Sequence, residues 1–173
     1  TRDCGRELVL KQETAVRPGM TALDALKSVA RVETAYGGGF VRSINGIYSG
    51  YSGRNAKKED WFFYINGIAG NTGAGDYLLR AGDIEHWDFR DWSYHYSIPA
   101  LIGHYPQPFR GGYGGKIFPT IVVYGTGLAR EAEALAKKLQ DDGVSGVSVM
   151  PDSTLSAEKR ATSNLIIIAG EDS

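Results

Sequence analysis

The stretch WFFYINGIAGNTG, residues 61–73, sets four aromatic side chains before an Asn-Gly pair and a run of small residues. The tetrapeptide Ile-Asn-Gly-Ile within it also occurs at residues 44–47. Asn-Gly pairs tolerate the positive φ angles of type I′ turns, which join antiparallel strands. The sequence therefore predicts two strands, FVRSI and DWFFYI, that end in tight turns at Asn45-Gly46 and Asn66-Gly67.

Side chains alternate between the two faces of the aromatic strand. Trp61, Phe63 and Ile65 form the more apolar row, so we expect them in the core beneath a helix. Phe62 and Tyr64 would then face outward as a platform for a flat ligand. The residues alone leave open the alternative that the segment 93–116 covers both rings.

Polar and small residues beside this platform are candidates for ligand contacts. Asn66 follows Tyr64 on the predicted outward face, and the loop 70–75 exposes backbone groups with few side chains. Such groups supply the few hydrogen bonds that orient a ligand in an aromatic site. The predicted binding residues are Phe62, Tyr64, Asn66, Asn71, Gly73 and Ala74, with Tyr48 and Tyr51 as further candidates.

The first domain is predicted to span residues 1–92. ELVLKQETAV alternates well enough for a strand, and TALDALKSVARV has the apolar spacing of a short helix. Thr21 suits the N-cap of this helix, and Asp24 completes a capping box. With the two strands above and a last strand at DIEHWDF, the order indicates a small mixed sheet with one helix.

The remainder of the chain is predicted to form a connector and a second domain. Residues 93–116 combine Pro and Gly with apolar rings, which indicates an extended connector that lies against a surface. Residues 117–173 read as strand, helix, strand, short helix and strand, which predicts a small α/β domain with a parallel sheet. Its three strands leave an edge bare, so we expect the domain to be truncated or to pack on something.

Composition and charge argue against several classes of function. The chain carries 19 Lys and Arg against 20 Asp and Glu, without a block of like charge, which disfavours nucleic acid and anionic membranes as partners. No apolar run approaches the roughly 18 residues that span a bilayer. Cys4 is the only cysteine, and His86, His95 and His104 lack a second ligand at metal-binding spacing. We therefore expect no metal site. We expect the three histidines to be ordinary hydrogen-bonded side chains.

No catalytic constellation is visible in the sequence. Gly125 and Gly127 open a helix after a strand, but Arg130 occupies the position of the third glycine of a dinucleotide fingerprint. A nucleophile elbow is also missing. Asp83 and Glu85 would share one strand face, and we expect both to face solvent. The chain is therefore predicted not to be an enzyme.

The motifs GMTALDALKSVA, FVRSINGI and DWFFYINGIAGNTGAGDYLLRAGDIEHWDF, taken in order, resemble a bacterial surface module. The same module is similar to the C-terminal domain of the cobalamin carriers transcobalamin and intrinsic factor. The resemblance covers about residues 1–92. It implies a β-grasp fold of the soluble-ligand-binding type, and an extracellular or cell-surface location, although no signal peptide is visible at the start of the sequence.

The resemblance also implies a ligand. In the carriers, this domain closes over one face of the corrin, and by position Phe62 and Tyr64 would contribute contacts. Cobalamin or another corrinoid is therefore the expected bound ligand, and no cofactor is otherwise required. The helical barrel that holds the other face in the carriers is absent, so a partner is expected or binding is weak. The alternative is a protein–protein or cell-surface interaction module, or a spacer, without a small-molecule ligand.

Overall fold

The computed structural model describes residues 1–50, 56–95 and 97–170. The chain divides into two compact units, Thr1–His104 and Tyr105–Ser173. The first unit contains antiparallel three-stranded sheets and one α-helix, whereas the second contains a parallel three-stranded sheet. The chain is thus a small two-domain α+β protein. The predicted connector is divided between the units, with residues 93–104 in the first.

Helix α1 (Ala22–Val29) begins where the capping signal predicts. The Thr21 hydroxyl accepts a hydrogen bond from the Asp24 amide, and the Asp24 carboxylate accepts one from the Thr21 amide. This reciprocal pair satisfies two donors that the first turn leaves without intrahelical partners. Leu23 and Leu26 are buried, which confirms the predicted apolar face.

The first unit contains two antiparallel sheets. One consists of β1 (Val32–Ala35), β2 (Phe40–Ile44) and β3 (Ile47–Tyr48), in that order. In the other, β4 (Glu59–Ile65) lies between β5 (Ile68–Ala69) and β6 (Glu85–Asp91). Both Asn-Gly turns have positive φ at both residues: 50° and 82° at Asn45-Gly46, and 54° and 82° at Asn66-Gly67. The predicted type I′ hairpins are confirmed.

Two segments extend the β5–β4–β6 sheet beyond its named strands. Arg2 forms a parallel bridge with Phe89 of β6. On the opposite edge, the Ala69 amide donates to Pro99 O and the Leu101 amide donates to Gly67 O, both at distances typical of sheet hydrogen bonds. The beginning of the predicted connector therefore lies against the sheet, as expected from its apolar residues.

The strand predicted at ELVLKQETAV, residues 7–16, is wrong. Outside the Arg2–Glu7 bridge, this segment has no assigned strand, and Leu8 is 64% exposed. The backbone groups of Phe89 that face this edge are bonded by Thr1 and Asp3 instead. Alternating apolar residues form a strand only where a sheet edge is available to pair with them.

The second unit follows the predicted alternation. Its elements are β7 (Thr120–Tyr124), α2 (Ala129–Asp141), β8 (Val147–Pro151), α3 (Ala157–Thr162) and β9 (Asn164–Ile168). β7 is the central strand and pairs in parallel with β8 and β9. Ala132, Ala136 and Leu139 of α2 are buried with Val122 and Val144. The predicted helical stripe is the core of this unit.

Among the residues that the structure describes, no helix is long and apolar enough to cross a bilayer.

Candidate functional site

The aromatic strand β4 is buried on both faces, not on one. Trp61 and Ile65 are in the core as predicted, at 7% and 0% exposure, and Phe63 is partly buried. Tyr64 is only 1% exposed, however, so its prediction as an outward-facing ring is wrong. Phe62 remains partly exposed. The even-numbered face therefore needs a cover that the sequence pattern of β4 does not reveal.

Part of this cover is the N-terminal segment. Asp88 of β6, which is fully buried, accepts hydrogen bonds from the Thr1 hydroxyl at 2.8 Å and from the Cys4 amide at 3.0 Å. In the β4–β6 register, Asp88 lies opposite Phe62 and therefore on the same face. Hydrogen bonding to a buried carboxylate ties residues 1–5 to the even-numbered face of the sheet.

The other part of the cover comes from residues 97–104. A groove of about 250 Å³ lies between β4 and this segment. It is lined by Trp61, Phe62, Phe63, Tyr64, Ala69, Gly70, Arg90, Ser97 and Ile98. The alternative that the segment 93–116 covers Phe62 and Tyr64 is met in part. Residues 97 and 98 of this segment lie beside the two rings, but they do not fill the groove.

Gly70 lies in the wall of the groove, where the Phe63 ring packs directly on its backbone. A Cβ atom at this position would lie 2.3 Å from Cζ of Phe63, well inside van der Waals contact. Phe63 in turn stacks on Trp87, with ring centroids 5.2 Å apart. The absence of a side chain at Gly70 therefore allows the Phe63 ring to lie flat beside the loop. The aromatic strand therefore requires a residue without a side chain at position 70.

Arg90 is a groove residue with unusual surroundings. Its side chain is 4% exposed, and its guanidinium lies 3.9 Å from the ring centroid of Phe62. Nη1 donates to the Tyr64 hydroxyl at 2.7 Å, whereas the buried Nε has no hydrogen-bond partner. Within residues 1–50, 56–95 and 97–170, no ion pair includes Arg90. A buried cation without a counter-ion is costly and points to a functional role.

The carboxylate closest in the strand register does not neutralise Arg90. Asp60 lies directly opposite Arg90 on the neighbouring strand. It instead accepts hydrogen bonds from the Ser49 hydroxyl and from Nε1 of Trp92, the latter at 2.7 Å. Burial raises the pKa of Asp60, and the hydrogen bond from Trp92 opposes this shift only in part. Asp60 therefore does not neutralise Arg90, whose guanidinium contacts the groove residues Phe62 and Tyr64 instead.

Two of the three histidines form a partly buried pair at the end of this face. His86 Nδ1 lies 2.8 Å from His104 Nε2, and His104 Nδ1 lies 3.1 Å from Leu101 O. Burial and the neighbouring His104 lower the pKa of His86 to about 4, so its ring is neutral at pH 7. The expectation of hydrogen-bonded histidines holds for this pair. The pair links β6 to the segment that borders the groove.

Glu85 differs from the sequence expectation of a solvated carboxylate. It is partly buried and accepts a hydrogen bond from Nε1 of Trp87 at 2.5 Å. Burial raises the pKa of Glu85 to about 7. Glu85 lies opposite Ile65, whose side chain belongs to the core face. The expectation that Glu85 faces solvent is therefore wrong, because its strand position places it on the core face of the sheet.

The other predicted binding residues do not line the groove. Asn66 is fully buried, and its amide group accepts from the Ile84 amide and donates to Asp83, so its prediction as an outward-facing group is wrong. Asn71 and Gly73 are exposed, and Ala74 O accepts a hydrogen bond from the Leu23 amide at the start of α1. The small loop is thus tied to the helix.

The two further candidates lie elsewhere. Tyr48 is 49% exposed, and its hydroxyl donates to Glu33 Oε1 at 2.5 Å. Tyr51 lies outside the described residues. Of the predicted set, only Phe62 and Tyr64 come together in the groove.

Sequence reasoning missed Arg90 entirely. The available signal was its position in DIEHWDFRDW, where a basic residue directly follows the predicted last strand DIEHWDF. In an antiparallel pair, directly opposite residues share a face. Aligning the two strands as an antiparallel pair would have placed an arginine beside the aromatic row. It would not have shown that this arginine is buried.

Comparison with known families identifies a match within the first unit. A family model described as "Domain of unknown function (DUF4430)" matches residues 19–91, which include α1, both Asn-Gly turns and β1–β6. Searches of curated proteins and of solved structures each found no match. The matched region contains Phe62, Tyr64, Gly70 and Arg90, and it ends where the first unit continues into residues 92–104.

Proposed function

We propose that the unit Thr1–His104 is a non-enzymatic ligand-binding module of the β-grasp type that acts outside the cell or at its surface. Its ligand would be a corrinoid, held against the groove beside β4. The observation that carries the proposal is this groove, which is lined by Phe62, Tyr64 and Gly70. The order of sequence motifs that resembles the cobalamin carriers supports the choice of ligand.

Two features support the β-grasp assignment. The unit has one α-helix, and the parallel bridge between Arg2 and Phe89 makes the β5–β4–β6 sheet mixed at its edge. Two short strands, β3 and β5, each follow an Asn-Gly turn. A mixed sheet with a single helix is the arrangement that the resemblance implies.

The size of the groove limits how a corrinoid would bind. About 250 Å³ is the volume of roughly eight water molecules in the liquid, and it is below the roughly 300–1,000 Å³ of pockets that enclose a drug-sized ligand. A corrin ring would therefore insert one edge or side chain and leave its opposite face uncovered. A partner domain that covers this second face would be needed for tight binding.

Direct binding can be tested by colour. The full chain at tens of micromolar is mixed with cyanocobalamin or with cobinamide and passed through a sizing column. Co-elution of corrinoid absorbance with protein is the expected result. Elution of all colour at the position of free ligand would overturn direct corrinoid binding and would favour the alternative of an interaction module or a spacer.

Two glycine variants provide a matched comparison. Gly70→Ala places a methyl group against the Phe63 ring, whereas a Cβ at Gly75 would lie at an ordinary 3.8 Å from Cδ2 of Leu23. Both variants add one methyl group to the same loop. We expect Gly70→Ala to reduce co-elution and Gly75→Ala to retain it. Equal retention by both variants would move the site away from this groove.

A further inference from the structure

We infer that the groove beside β4 recognises a carboxylate group attached to a small flat apolar body, with Arg90 as the residue that binds the carboxylate. The inference rests on the proposed function only in using the same groove, and it does not require a corrinoid. It starts from the incomplete hydrogen bonding of a buried guanidinium.

The donors of Arg90 are arranged for an additional acceptor. A guanidinium has five N–H donors in a planar fork, and Arg90 makes a single side-chain hydrogen bond to the described residues, from Nη1 to Tyr64. Its buried Nε has no partner. Two neighbouring N–H groups of such a fork match the two oxygens of a carboxylate. A carboxylate that reaches this fork from the groove would therefore supply an acceptor that the described residues do not.

The charge balance selects a monoanion. Arg90 is the one cationic side chain that lines the groove, and the described residues give it no ion-pair partner. Asp60 and Asp88 lie on the same face of the sheet and are already hydrogen-bonded. A carboxylate neutralises one buried positive charge, whereas a phosphate dianion would add a second negative charge near these two aspartates.

The remaining lining selects the body of the ligand. The ring of Phe62, which contacts the guanidinium, and the apolar side chains of Ala69 and Ile98 carry no further charge. Aromatic rings prefer offset stacking or edge contacts with other flat groups. With a groove of about 250 Å³, a bicyclic or smaller aromatic acid is the size of ligand that fits.

The test uses a pair of probes that differ in charge. The ¹⁵N-labelled full chain is titrated with 2-naphthoate and with its neutral analogue 2-naphthamide at constant salt. The Arg90 Nε–H resonance is assigned by its loss in Arg90→Met. We expect 2-naphthoate to shift this resonance and to bind at least tenfold more tightly than 2-naphthamide. Arg90→Lys keeps the charge but loses the planar fork, and we expect it to lose most of the preference.

Each other outcome has a distinct meaning. Equal binding of both probes without a shift of the Arg90 signal would overturn carboxylate recognition but keep the groove as a binding site. No shift of any resonance by either probe would overturn the inference, whereas the proposed corrinoid site is tested separately by co-elution. Tighter binding of 2-naphthyl phosphate than of 2-naphthoate would assign the groove to phosphate esters instead. The ratio of the wild-type affinities for 2-naphthoate and 2-naphthamide needs no variant, so this part of the test stands even if Arg90→Met does not fold.

Discussion

Arg90 lies directly opposite Asp60 in the β4–β6 register, and yet the two side chains do not form an ion pair. Asp60 is engaged by Ser49 and Trp92, and Arg90 extends over Phe62 to the Tyr64 hydroxyl. Opposite charges in directly opposed positions ordinarily stabilise a sheet. Their separation here leaves a buried cation beside the groove. This cation destabilises the fold, and it is available to bind an anionic group.

The cost can be measured with a double-mutant cycle on Tyr64 and Arg90. Tyr64→Phe removes the acceptor of Nη1 and should lower the free energy of unfolding by about 1 to 3 kcal/mol, because a buried charged donor loses its partner. Arg90→Met combined with Tyr64→Phe removes the charge as well and should recover most of this loss. Urea unfolding curves of the two single variants and the double variant give the coupling.

A loss of stability in the double variant would instead assign Arg90 a structural role. If the double variant is less stable than Tyr64→Phe by more than about 1 kcal/mol, Arg90 stabilises the fold through its stacking on Phe62. The positive charge of Arg90 would then contribute to folding, and Arg90 would not be a buried cation that destabilises the protein.

The dependence of stability on pH should reveal Glu85 and His86 as opposing groups. Native Glu85, with its pKa raised from 4.5 to about 7, holds a proton that the unfolded chain has released, so its contribution to stability falls as pH rises from 4.5 to 7. Native His86, with its pKa lowered from 6.5 to about 4, lacks a proton that the unfolded chain binds, so its contribution rises with pH between 4 and 6.5. The two slopes cancel in the shared window.

Removing one group should expose the other. In Glu85→Gln, we expect the free energy of unfolding to rise between pH 4.5 and 6.5 by about 2 kcal/mol more than in the wild type. His86→Gln should tilt the profile in the opposite direction. Chemical unfolding at a series of pH values measures both slopes. Parallel profiles for Glu85→Gln and the wild type would show that burial does not perturb this carboxyl group.

The aromatic strand allows a ranking of side chains by their role in folding. Trp61 packs on Phe89 with ring centroids 5.3 Å apart, and its Nε1 donates to Ile47 O. Because Trp61 and Tyr64 are both buried, we expect Trp61→Ala and Tyr64→Ala each to cost about 3 to 5 kcal/mol. Phe62→Ala, at a partly exposed position, should cost less, about 1 to 2 kcal/mol, and should weaken ligand binding. Circular-dichroism melts test the order, which fails if Phe62→Ala melts as low as Trp61→Ala.

Local features of the fold could be predicted from the sequence, because their causes lie within a few residues. The Thr21–Asp24 capping box and the Asn-Gly turns are such features. The burial of Tyr64 and Asn66 could not be predicted in the same way. It depends on cover from segments distant in the chain, as in the hydrogen bond from Cys4 to Asp88, which spans 84 positions. The groove likewise depends on Ser97 and Ile98, which lie far from β4 in the sequence.

The repeated Ile-Asn-Gly-Ile tetrapeptide offers a test of how residues 101–104 dock on the sheet. Gly46 and Gly67 have the same φ of 82° in the same type of turn, so a side chain at either position carries a similar backbone strain. Their surroundings differ. A Cβ at Gly46 would meet nothing within 4 Å, whereas one at Gly67 would lie 2.8 Å from Leu101 O and 3.2 Å from His104 Nδ1.

Substitution by alanine at the two glycines therefore separates strain from docking. Gly46→Ala should cost about 1 kcal/mol through strain alone. Gly67→Ala carries the same strain and must also displace the Leu101 carbonyl, which breaks its contact with the turn, so we expect a further loss of about 1 to 2 kcal/mol. Thermal or urea unfolding measures the difference, and faster hydrogen exchange of the Leu101 amide should accompany it in Gly67→Ala alone. Equal losses in the two variants would mean that residues 101–104 do not rest on the turn, and the wall that they help to hold beside the groove would then be free to move.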